Sequence, residues 1–126
     1  MQYMLLIYET EVRAHCAAAA NPDPSSQEFA DLMREYMSFT EDIVKAGKFK
    51  AGDPLEPTTS ATTVRVRNGK TLATDGPFAE TKEQLGGYYL VEAKNLDEAI
   101  SLAARIPAAR TGSIEVRPIR VMPRPS

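Results

Sequence analysis

Residues 2–8 are apolar at nearly every position, with Tyr3, Met4, Leu5, Leu6, Ile7 and Tyr8 in succession. A strand without a polar face needs cover on both sides, which predicts a central place in a sheet. The alanine-rich stretch that follows favours a short helical turn. The prolines of "NPDPSS" end it, since each disfavours helix at the residue before it. Ser25 and Glu28 stand at capping-box spacing and mark a helix start. From there Phe29, Leu32, Met33, Tyr36, Phe39, Ile43 and Val44 recur at three- and four-residue steps. They predict one buried stripe on a helix of about five to six turns. Gly47 is its natural C-terminal stop.

"KFKAGDPLEP" is interrupted by glycine and proline and supports only a brief edge strand. In "TTVRVRNGKTLAT" Val64 and Val66 alternate with Arg65 and Arg67, and Asn68-Gly69 supplies the positive φ angles of a tight hairpin. A two-residue loop there sets Arg67 opposite Lys70 and Val64 opposite Ala73. "GGYYLVEA" is a further strand, its paired glycines suggesting a bulge or a close backbone approach. Asn95 and Glu98 repeat the capping spacing, and Leu96, Ala99, Ile100 and Ala103 predict a second helix ending near Pro107. "GSIEVRPIRV" closes the sheet, with Pro118 suited to an edge.

This order predicts an α+β, ferredoxin-like antiparallel sheet with both main helices on one face. It forms a single domain over 1–126, with a core to residue 121 and a frayed tail over 122–126. Two helices cover only one face, yet the first strand is apolar on both. Tyr88 and Tyr89 point to opposite faces, one into the helix-covered core. The uncovered face therefore predicts a homodimer packed sheet to sheet.

Composition narrows the chemistry. The formal net charge is −2 with both signs interspersed. That gives no basic footprint for nucleic acid and no polybasic segment for a membrane surface. One cysteine, Cys16, leaves no internal disulfide and fits a reducing, cytoplasmic setting. One histidine, His15, leaves no multi-histidine metal site. No phosphate-cradling glycine motif is present, so neither a metal nor a cofactor is expected.

"YMLLIYE", "ATTVRVRNGKTLATDGPFAETKEQLGGYYLVEA" and "EVRPI" resemble, in order and over essentially the whole chain, the DGPF-domain branch of the YCII-related proteins. The branch is named for the run at Asp75-Gly76-Pro77-Phe78. The resemblance implies a dimeric α+β barrel of ferredoxin-like subunits. It also implies two roles. One is an accessory or signalling role beside sigma factors of the extracytoplasmic-function type. The other is the lactone-handling chemistry of relatives that use a His–Asp dyad. In those relatives the histidine lies on the first long helix, roughly three turns before its C-terminal glycine. Counted back from Gly47, that position falls at or beside Tyr36, and His15 does not match it.

Several residues keep a chemical reading beside a structural one. Asp75 precedes a sharp Gly-Pro turn. It either accepts backbone N–H bonds as a cap or points into a cleft as a base, and the turn chemistry favours the cap. Phe78 is expected to anchor the loop by apolar burial, with Glu80, Lys82 and Glu83 as a solvated charge cluster. Tyr36 and Tyr88 are candidate hydrogen-bond donors to a ligand. Glu115 and Arg117 share a strand face and pair with each other, with loop carboxylates or with an anionic ligand. His15 and Cys16 read first as a solvated loop histidine and a small apolar side chain. Two functions follow: a dimeric small-molecule-binding or accessory module, or a lyase or isomerase acting on a lactone-like or phenolic compound.

Overall fold

The computed structural model describes residues 1–10 and 27–123. The expectations for His15, Cys16, the alanine-rich turn and the Ser25 cap lie outside the described residues. The elements are β1 (Gln2–Glu9), α1 (Gln27–Lys45), β2 (Phe49–Pro54), β3 (Thr62–Arg67), β4 (Lys70–Asp75), β5 (Gln84–Glu92), α2 (Leu96–Ala104) and β6 (Ser113–Pro118). Four strands form one antiparallel sheet in the order β2-β5-β1-β6, and β3-β4 form a separate hairpin. This is the α+β, ferredoxin-like arrangement the strand pattern predicts. β1 is central, while β2 and β6, each carrying a proline, are the edges.

Alternation along the strands divides the sheet into two faces. Tyr3, Leu5 and Ile7 of β1 and Tyr89 and Val91 of β5 are buried beneath Phe39 and Ile43 of α1 and Ala99, Leu102 and Ala103 of α2. Ile106 and Ala108 complete that core from the 3-10 turn after α2. Each fully buried side chain such as Leu5, Ile43 or Ile106 contributes about 1.5–3 kcal/mol by leaving water. The opposite face carries Met4, Leu6, Tyr8, Tyr88 and Leu90, all half-buried, beside Glu115 and Arg117.

Local chemistry ends the helices where expected. Gly47, at φ +72°, sends its N–H to the Val44 carbonyl, and the Lys48 N–H reaches the Ile43 carbonyl. This is a Schellman end, which needs a residue tolerant of positive φ. The Asn95 side chain accepts the Glu98 amide at 3.0 Å, capping α2. The Glu98 carboxylate also binds Lys48, and that partner lowers its pKa.

The helical stripes are narrower than the pattern predicts. On α1 only Phe39 and Ile43 are buried; Leu32, Met33 and Val44 are exposed and Tyr36 is half-buried. On α2 Ala99, Leu102 and Ala103 meet the core, leaving Leu96 and Ile100 outside. Alanine allows close approach to the sheet, so it turns the larger side chains away.

Candidate functional site

The β3-β4 hairpin turns at Asn68 and Gly69, with φ +53° and +74°, as a primed two-residue turn requires. Its register sets Arg67 opposite Lys70 and Val64 opposite Ala73, as the sequence predicts. Pairing ends at Asp75 opposite Thr62, after which Gly76 takes φ +109°. The Gly76 N–H bonds the Ala61 carbonyl at 2.8 Å, and the Thr63 hydroxyl donates to the Gly76 carbonyl at 2.9 Å. The turn is therefore held by backbone and by Thr63. The Asp75 side chain is exposed and makes no hydrogen bond among the described residues.

Phe78 overturns the expectation of apolar burial, being 81% exposed. Among the described residues no core element covers it, and the Arg65 guanidinium lies 5.9 Å from its ring centroid. Glu83 departs from the solvated cluster, since it accepts the Ser113 hydroxyl at 2.7 Å. Glu115 and Arg117 form an ion pair with each other on the open sheet face, the structural alternative among those expected.

The enclosed space lies elsewhere. A cleft of about 630 Å³ opens between α1 and the β2-β5 end of the sheet. Met33, Tyr36, Met37 and Thr40 line its helical wall, and Leu55, Leu85 and Phe49 line much of the rest. The four helical residues follow i, i+3, i+4, i+7 spacing, a second stripe beside the buried one. That stripe was available in the sequence, but merging Met33 and Tyr36 into the core stripe hid it.

Glycines shape the cleft floor. Pairing of β1 with β5 steps from Ile7 opposite Gly87 to Tyr8 opposite Leu85, so Gly86 is the extra residue of a bulge. At Gly52 a Cβ would stand 2.9 Å from the Tyr89 ring, and at Gly87 one would stand 3.2 Å from the Asp53 carbonyl oxygen. Tyr89 thus lies over Gly52, edge-on to Phe39 with centroids 5.2 Å apart and to Phe49 at 6.4 Å.

The Thr40 hydroxyl donates to the Tyr36 carbonyl at 2.8 Å, leaving its oxygen to accept the Tyr89 hydroxyl at 3.0 Å. Burial pushes the Tyr36 phenol up to about 12, assisted by the Glu9 carboxylate and Tyr89. A hydrogen bond from the Ala108 backbone and the Arg110 charge oppose the shift. Tyr36 is consequently a hydrogen-bond donor at neutral pH and no base. Tyr88 donates to Asp53 at 2.8 Å across the β5-β2 pair, and this bond raises its pKa.

Of the residues singled out from sequence, Tyr36 stands in the helical wall of the cleft, while Tyr88 borders the lining with its side chain turned to the opposite face of the sheet. Asp75 and Phe78 stand on the hairpin loop, and Glu115 and Arg117 on β6, all outside that lining. Thr40, Gly52, Asp53, Leu55 and Leu85 emerge only from the structure. No helix among the described residues is long and apolar enough to cross a membrane.

Comparison with known proteins gives a match to the YCII-related domain over residues 1–123. An uncharacterized protein of Rhizobium meliloti (strain 1021) is 45% identical over 97 residues, covering 75% of this chain and 78% of that protein.

Proposed function

The chain belongs to the YCII-related domain family, and from that premise we propose that it binds a small molecule in the cleft between α1 and the β2-β5 end of the sheet. The observation that carries this reading is the cleft itself. Its volume of about 630 Å³ suits a small organic ligand, with apolar walls and a few convergent hydroxyls. Methionines on the helical wall adapt to the shape of what enters. Tyr36 is a fixed donor able to orient a carbonyl, ether or phenol oxygen.

A lyase or isomerase would need a base beside the bound compound. Its sequence candidate, Asp75, stands on the hairpin, so binding is better supported than turnover. As a DGPF-type protein, the chain serves in this reading as an accessory or regulatory module in the cytoplasm, and co-purification with a sigma factor tests that role. The same reading makes it a homodimer packed through Met4, Leu6, Tyr8 and Leu90 of the open sheet face, where a second copy would cover half-buried apolar side chains. Leu6→Asp should then halve the mass measured by light scattering.

The ligand site is tested by thermal shift with phenylbutanol as a neutral probe. Saturating probe raises Tm, because a ligand bound only by the folded state stabilises it. Met33→Gln combined with Met37→Gln weakens the affinity about tenfold by removing apolar contact. An unchanged affinity in that variant would move the site away from the cleft.

A further inference from the structure

We infer that the cleft selects an amphipathic organic cation, an amine or quaternary ammonium carried on an aromatic or alkyl body. This rests on the reading of the cleft as a ligand site and adds the sign of charge that it takes. The acidic residues do not make the site. The apolar cavity does, and they set its preference.

Among the described residues the lining includes Glu9, Glu41 and Glu56 but no lysine or arginine, while Asp53, also at its edge, turns its carboxylate to Tyr88 on the opposite face of the sheet. The chain as a whole is nearly balanced, with 15 basic and 17 acidic residues, so a lining of one sign is a local choice. The other flank of α1 shows the alternative. There Asp31 pairs with Arg34, Glu35 with Arg110 and Asp42 with Arg105. Glu41, next in sequence to Asp42, faces the cleft and has no ion-pair partner among the described residues, and neither has Glu56.

The apolar part of the lining points the same way. The rings of Tyr36, Phe49 and Tyr89 lie on the cleft side of the sheet, and aromatic faces attract ammonium groups. A cation whose body is buried among Met33, Met37 and Leu55 meets carboxylates and ring faces together. An anion of the same shape would bring like charge against them, with no counter-charge among the described residues of the lining.

The test is isothermal titration of the full chain with three probes that share one body: phenylbutylamine, phenylbutanol and phenylbutyrate. The amine is expected to bind most tightly and the carboxylate most weakly, about tenfold or more apart. Added salt narrows that gap. Glu41→Gln with Glu56→Gln, both exposed, removes most of the preference while leaving phenylbutanol affinity within twofold. Phenylbutyrate binding as tightly as the amine, or a preference unchanged in the double variant, would overturn the inference. Binding of phenylbutanol alone refutes the cation and leaves the cleft standing, whereas binding of none of the three refutes both.

Discussion

The hairpin loop and the cleft divide recognisability and enclosure between them. Asp75-Gly76-Pro77-Phe78 is the most recognisable run of the sequence, yet in the structure it is a turn at the end of a two-stranded ribbon. The cleft has no sequence signature, yet it gathers Tyr36, Thr40 and Tyr89 around a cavity. A motif is easily recognised when its backbone is constrained, as at Gly76 with φ +109°. Conformational constraint and ligand contact are different demands, and here different regions meet them.

The largest expected effect breaks the cleft side. Tyr89→Ala removes the ring between Phe39 and Phe49 together with the Thr40 bond. It should cost about 3–5 kcal/mol in denaturant unfolding, the range for truncating a large buried aromatic. Gly52→Ala sharpens the same region, because its Cβ would press on the Tyr89 ring. A loss of about 1–3 kcal/mol is expected, with weaker probe binding from the displaced floor.

The Tyr36 phenol gives a pH-dependent effect. Its folded pKa, about 12, lies above the 10.0 of a free tyrosine side chain. The unfolded state therefore loses this proton first as pH rises. The contribution is fully present below about pH 10 and is lost as pH climbs through about 12. Ultraviolet titration of wild type against Tyr36→Phe should assign one late-titrating tyrosine to this position, and a normal pKa there would contradict its burial.

On the hairpin side the expected effect is smallest. Val64 and Val66 are 60% and 59% exposed, so Val64→Ser with Val66→Ser should shift stability by only about 0.5 kcal/mol or less per site. A loss of several kcal/mol that depends on protein concentration would mean that another copy covers the ribbon. The two regions would then be far less different than the single chain suggests.

Much of the fold was legible because it follows from short-range rules. Strand alternation, the Asn68-Gly69 turn, the Gly47 stop and the Asn95 cap each depend on a few neighbouring residues. The site was legible in fragments: Tyr36 could be named, but its partners across the cleft could not. Large apolar side chains are usually buried, so the sequence points Phe78 inward, and only tertiary context reveals its exposure among the described residues. Glu41 and Asp42 are adjacent acids, and no local rule says that one meets Arg105 while the other lines a cavity.

The sequence by itself determined the family, the order of strands and helices, the turn at Asn68-Gly69 and the two-faced character of the sheet. These follow from backbone preference and from the side-chain periods of helix and strand. Only the tertiary structure decided which face of α1 meets the sheet and which overhangs it. It also decided that Gly52 makes room for Tyr89, and that carboxylates far apart in the chain line one apolar cleft. Packing at long range sets those outcomes, because each depends on the volume and charge of residues brought together only when the sheet has closed.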